Sequence, residues 1–156
     1  MTTITNTGGK MKNYSLFILT FSLIMISTSL WGAFSSGVVA DSATGLAWQD
    51  DYSDNGGDIK SATWQDALIY CEELSLGGKS DWRLPNIIEL YGIADRSKYN
   101  PAISSVFQNI TSDYYWSSTT YASDSSYAWF VYFDDGGDYR YDKTYEGYVR
   151  CVRGGQ

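Results

Sequence analysis

The stretch from Tyr114 to Arg153, YYWSSTTYASDSSYAWFVYFDDGGDYRYDKTYEGYVRCVR, leaves few folds open, because it is strand-forming almost throughout and is broken only by turn-rich clusters. Turns at residues 122–126, 134–137 and 143–147 divide it into four or five strands. Trp116, Ala128, Trp129, Val131, Phe133, Val149 and Cys151 read as inward-facing residues of those strands. Tyr121, Asp124, Ser125, Tyr127, Phe130, Tyr132, Asp134, Asp138, Tyr139, Arg140, Tyr141, Asp142 and Tyr145 read as a ligand-binding surface. Between Trp129 and Phe133 a period of two puts Trp129, Val131 and Phe133 on one side and Phe130 and Tyr132 on the other. Burial against one core does not account for both of those aromatics. Tyrosine supplies large, rigid contact area at low entropic cost, and Ser, Gly and Asp adapt around it, which is the composition of antibody-like binding surfaces. The competing explanation is that Tyr has high strand propensity and tolerates water at its hydroxyl end.

Upstream, Val38 to Gln49 reads as a hairpin around the turn Asp41-Ser42-Ala43-Thr44-Gly45. The acidic run Asp50 to Asp58 invites a calcium reading counted from Asp51. The twelfth position, however, is Ala62 and not the bidentate Glu an EF-hand needs, so a solvated loop is the better expectation. Trp64, Ala67, Leu68, Cys71 and Leu74 repeat at helical spacing behind Thr63 and Asp66, which resemble a capping box with the shorter acid, and Gly77-Gly78 stops the pattern. A second helix starts at Pro85-Asn86, with Asn86 and Glu89 placed to cap reciprocally and Ile87, Leu90, Tyr91 and Ala94 on one face. Arg83 and Asp95 are expected to pair as a structural salt bridge. Residues 97–113 read as an irregular crossing segment. Helices followed by a run of antiparallel strands make an α+β domain, two helices packed on short antiparallel sheets.

The chain contains no histidine and two cysteines, which removes the commonest general base, the Ser-His and Cys-His nucleophile pairs and a structural zinc site. No catalytic residue, no metal ligand and no cofactor is assigned, and the chain is read as a non-enzyme. The net charge is -7, and because every acidic residue lies beyond residue 40 while Lys10 and Lys12 lie before it, that later part is more acidic still, so nucleic acid is not an expected partner. Lys10 and Lys12 precede the apolar run Leu16 to Ile26, and Ala33-Phe34-Ser35 offers a small-x-small cleavage site. Residues 1–35 therefore read as a secretory signal peptide, with Met11 a candidate start and residues 36–156 as the mature domain. The run is shorter than a membrane span requires, so no stable span is expected after cleavage, and no cysteine follows it directly to carry a lipid. In an oxidising compartment Cys71 and Cys151 are favoured as a bridge, the alternative being two buried free thiols.

The ordered motifs TGLAWQ, W-x-x-A-x-x-YC-x-x-L from Trp64, GGKSDWRLPN from Gly77, YWSSTTYA from Tyr115, AWFVYF and YVRCVRGG resemble the DUF1566 family, also called the Lcl C-terminal domain family. The resemblance runs from about Val39 to Gly155. It implies a variant of the C-type lectin-like fold, related to the formylglycine-generating enzyme group, and makes Cys71 and Cys151 a disulfide between the first helix and the last strand. It also implies an extracellular binding module of adhesin type, although the acidity of this chain argues against sulfated glycans. The calcium-binding Glu-Pro-Asn type signature of sugar-binding C-type lectins is absent from the sequence. A further resemblance is to the variable proteins of diversity-generating retroelements, in which adenine-directed substitution of Asn codons yields Tyr, Asp, Ser, Gly, Phe, Arg and Thr. These are most of the residues at positions 121, 124–127, 130, 132, 134, 135 and 137–145, with Glu146 a departure. The expected partner is a protein or glycan on a cell, phage or matrix surface, with homo-oligomerisation as a component of a surface assembly the alternative.

Overall fold

The computed structural model describes residues 37–155, so the expected signal segment lies outside the described residues. In chain order the elements are β1 (Val38–Asp41), β2 (Leu46–Gln49), β3 (Ser61–Ala62), α1 (Trp64–Glu73), α2 (Ile87–Gly92), β4 (Tyr114–Thr120), β5 (Tyr127–Tyr132), β6 (Gly137–Asp142), β7 (Gly147–Tyr148) and β8 (Val152–Gly154). The domain is α+β, with the strands arranged in two sheets ordered β1-β2-β8 and β3-β7-β4-β5-β6. The expectation of purely antiparallel sheets needs one correction. β4 and β7 run parallel, through the single pair Tyr115 and Tyr148, because the chain returns to the far side of β4 after the β5–β6 excursion.

Local chemistry explains the elements that the sequence announces. The β1–β2 turn closes on Asp41, whose carboxylate accepts from the Ala43 N–H at 2.9 Å and the Thr44 hydroxyl at 2.6 Å, while Gly45 takes a φ of 72°. At α2 the capping box is complete: Asn86 accepts from the Glu89 N–H and Glu89 accepts from the Asn86 N–H, each at 2.9 Å. At α1 the Thr63 side chain accepts from the Asp66 N–H, but the shorter acid reaches only the Thr63 hydroxyl, at 2.7 Å, and not the backbone. The helix ends at Glu73, four residues ahead of Gly77. Among the described residues, no helix is long and apolar enough to cross a membrane.

Two buried clusters hold the sheets and helices together. Leu46, Trp48, Leu90, Ile93, Ile103, Phe107, Tyr115, Val131, Phe133 and Val152 form one, and Ala62, Ala67, Cys71, Leu74, Trp82, Leu84, Trp116, Ala128, Val149 and Cys151 the other. Tyr115 and Trp116 are consecutive on β4 and point to opposite sides, so the five-stranded sheet is covered on both faces along part of its length. The disulfide between Cys71 and Cys151, with Cα atoms 5.4 Å apart, fastens α1 to the segment just before β8.

Two polar expectations are corrected. Arg83 pairs not with Asp95 but with Glu89, in a two-pronged contact of 2.8 Å at each nitrogen, because the capping box already holds that carboxylate beside the loop. Asp95 pairs with Lys98 at 2.9 Å. The run from Asp50 is also not wholly solvated, since Asp50 and Tyr52 are buried and the Tyr52 hydroxyl donates to the Val149 carbonyl at 3.1 Å.

These partners give a pH dependence. Arg83 holds the Glu89 carboxyl below its ordinary 4.5, and Ser97 and Lys98 hold Asp95 at about 2. Carboxyls depressed in the fold stabilise it fully above their unfolded pKa, and the unfolded chain takes up protons first as pH falls. The thermal midpoint is therefore expected to be flat above about pH 5 and to decline steadily towards pH 2. A midpoint unchanged across that window would show that these pairs contribute nothing to stability.

Candidate functional site

The register of β4, β5 and β6 decides which side chains share a surface. Phe130 lies opposite Trp116 on β4 and Tyr139 on β6, Tyr132 lies opposite Tyr114 and Gly137, and Ala128 lies opposite Tyr141. Residues directly opposite one another in antiparallel strands share a face. At one end of this face Trp116 and Ala128 are buried in the cluster with α1; at the other the rings stand open. Phe130 is the hinge between the two: half-buried, packed on the core, and in contact outward with Tyr114 at 5.3 Å and with Tyr139 at 5.7 Å in a stacked arrangement. Tyr141 joins from β6, 5.8 Å from Tyr114, and Tyr145 from the following turn, 4.7 Å from Tyr141. Tyr139, Tyr141 and Tyr145 remain 47%, 38% and 55% exposed.

Asp113, Tyr114, Phe130, Tyr132, Asp135 and Tyr139 line an open cleft of about 410 Å³ on this face. The Tyr139 hydroxyl donates to Asp135 Oδ2 at 2.8 Å, and Asp135 Oδ1 accepts from the Gly137 N–H at 2.8 Å. The ring lies over Gly137, where a Cβ would stand 2.8 Å from a Tyr139 ring carbon, so only glycine permits that approach. The hydrogen bond to Asp135 pushes the Tyr139 hydroxyl up, and burial followed by Asp113 pushes Tyr114 up, so both stay protonated donors at neutral pH.

The thirteen residues read from the sequence as one binding surface do not share one face. Phe130, Tyr132, Tyr139, Tyr141 and Tyr145 belong to the open aromatic face just described. Tyr127, Asp138, Arg140 and Asp142 alternate with them and belong to the other side of the sheet. There the Tyr121 ring meets Trp129 at 5.5 Å, and the Arg140 guanidinium lies 4.7 Å over Tyr121. Asp124 and Ser125 sit on the exposed β4–β5 turn, where Asp124 accepts from the Ser126 N–H and hydroxyl, and Asp142 does the same for Thr144. Those two carboxylates are engaged in shaping turns. Asp134 is half-buried in the β5–β6 turn, its carbonyl accepting from Asn100.

Trp129 is corrected. It shares a face with Val131, but α2 does not close over it: it is half-buried and lines a second cleft of about 390 Å³ with the α2 residues Ile87, Ile88 and Tyr91 and with Asp138. Ala128, also read as inward, is buried on the opposite side from Val131 and Phe133. Tyr114, Asp113 and Asp135 are not among the thirteen, although position 135 is one of the outward positions that the retroelement resemblance marks. A signal for Tyr114 was present, since it stands two residues before Trp116 in the same strand and so on the same face.

Among the described residues, no group of three or more His, Cys, Asp or Glu side chains is placed to hold a metal ion. What the open face offers is therefore ring area, phenolic donors and two flanking carboxylates. The family model of the Lcl C-terminal domain matches residues 37–153, a span that takes in both helices and both sheets. No curated protein matches the chain.

Proposed function

The chain belongs to the Lcl C-terminal domain family, and from that premise we propose that it is an exported, C-type lectin-like binding module that takes a protein or glycan ligand on the aromatic face of β4, β5 and β6. One observation carries the reading: Tyr139, Tyr141 and Tyr145 keep 47%, 38% and 55% of their surface in water while their rings pack against one another and against Phe130. Rings that the core does not need, held rigid by their neighbours, are the anchors of protein interfaces. The disulfide supports export, because such bridges persist in oxidising compartments. It also engages both cysteines, which counts against an oxygen-dependent enzyme of the formylglycine-generating type.

Most of the outward residues of β5, β6 and their turns are among those that adenine substitution in Asn codons supplies, with Glu146 a departure. A reverse transcriptase gene beside the locus, with a near-copy of the codons for residues 114–153 differing at adenines, would make the specificity a diversified one.

The test is a comparison of the protein with its Tyr132→Ala/Tyr141→Ala variant on arrays of glycans and of matrix and cell-surface proteins. Binding to any ligand found is expected to fall about thirtyfold or more, with the thermal midpoint close to that of the parent. Retained binding, or an unfolded variant, would remove the face from the function. The self-association alternative draws on Ile88, 77% exposed beside the second cleft. A monodisperse monomer by light scattering at high concentration counts against it.

A further inference from the structure

The open cleft has a chemistry more specific than aromatic contact. Its walls are the rings of Tyr114, Phe130, Tyr132 and Tyr139, and its rim carries Asp113 and Asp135. Aromatic rings present electron-rich faces, and carboxylates beside them deepen the negative potential. The phenols register that field: after burial, Asp134, Asp113 and Asp135 push the Tyr132 hydroxyl up.

Elsewhere in the molecule such rings are already occupied by the protein's own cations. Arg140 stands 4.7 Å over Tyr121, Arg96 4.0 Å over Tyr91 and Lys143 3.8 Å over Trp64. Among the described residues, no Lys or Arg stands over a ring of the open cleft. The carboxylates there are partly engaged within the protein. Asp135 accepts from Gly137 and Tyr139 through its two oxygens, and Asp113 Oδ1 accepts from the Tyr114 N–H at 2.8 Å. Beside the rings they add negative potential to the cleft. With four rings for walls, the cleft suits a quaternary ammonium, whose charge is spread over apolar methyl surface and which has no N–H to satisfy.

We propose that the cleft of Tyr114, Phe130, Tyr132 and Tyr139 binds a trimethylammonium group presented by a small choline-type head. This rests on the ligand-binding reading of the same face and names the chemistry of its occupant. Ring packing and the Asp135 hydrogen bond hold the wall in place before the ligand arrives.

The experiment is a calorimetric or NMR titration of the full protein with choline, with its neutral isostere 3,3-dimethylbutan-1-ol and with ammonium chloride. Choline is expected to saturate a single site and to bind about tenfold or more tightly than either control. Tyr139→Ala, at a half-exposed position, is expected to lose about tenfold in choline affinity while its thermal midpoint holds, and Tyr139→Phe to keep affinity within about threefold because the π-face remains. Equal binding of choline and its isostere, an absence of choline binding, or undiminished binding by a folded Tyr139→Ala variant would overturn the proposal. If choline fails while Tyr132→Ala/Tyr141→Ala still abolishes capture on a glycan or protein array, the cation proposal falls and the binding face stands. If the array binding also survives that variant, both fall.

Discussion

Replacing Arg150 by alanine is expected to lower the free energy of unfolding by about 3–5 kcal/mol, the range found when one member of a buried ion pair is removed. The side chain is fully buried. Its Nη1 donates to the Gln49 carbonyl at 2.7 Å and to Asp50 Oδ1 at 3.0 Å, its Nη2 donates to the Asn109 carbonyl, and the guanidinium stacks 4.3 Å from the Phe107 ring. Asp50 in turn accepts from the N–H groups of Gln108 at 2.8 Å and Asn109 at 3.1 Å. One pair thus joins the end of β2, the segment crossing before β4 and the link between β7 and β8. Truncation at Arg150 would leave a buried carboxylate without its counter-ion and take one donor from each of two carbonyls. Arg150→Lys is expected to recover only part of the loss, since a single ammonium does not reproduce a planar fork with partners on two nitrogens. The Asp50→Asn/Arg150→Met double variant should cost less than the sum of its single changes, the coupling expected of a paired charge. Urea unfolding of the parent, of Arg150→Ala, Arg150→Lys, Asp50→Asn and Arg150→Met, and of the double variant measures this. A loss under about 1 kcal/mol for Arg150→Ala would mean that water reaches the site and the junction is not a buried one.

Removing the Cys71–Cys151 bridge is expected to cost about 4 kcal/mol, because the bridge closes a loop of 80 residues in the unfolded chain. Typical domains hold only about 5–15 kcal/mol in total. The reduced domain would then be marginal, and a Cys71→Ala/Cys151→Ala variant would lose packing in the α1 cluster as well, where both positions are fully buried. Denaturant midpoints for the oxidised protein, for the protein reduced while unfolded and for the double variant separate the two contributions. Equal midpoints for oxidised and reduced protein would show that the loop entropy is offset by strain or by residual structure. Because so much of the stability is conditional on oxidation, this measurement also bears on the proposed exported setting.

Which parts of this architecture were readable in advance follows from the range of the interactions. The Asn86–Glu89 box and the Asp41 turn are local: donor and acceptor lie three residues apart or fewer, and the residue types at that spacing are enough. The cysteine pairing needed only an oxidising setting, the family resemblance and the fact that there are two. Spacing alone does not identify the partner of Arg83, because the Glu89 carboxylate serves both the cap and the guanidinium.

The sequence by itself determined the order of helices and strands, the hairpins, the helix starts and the presence of a tyrosine-rich group of strands, since periodicity, turn residues and caps act within a few positions along the chain. Only the tertiary structure decided that this group has two sides. Period two says that Phe130 and Trp129 point apart, but not which side meets solvent, because α1 covers one face beside Trp116 and α2 covers the other beside Val131, each over only part of its length. The same holds for Asp50, which reads as one more acid in a solvated loop until the chain brings Arg150 to it from 100 residues away. Pairings of that kind are set by how the layers pack, and the spacing of residues along the chain carries no record of them.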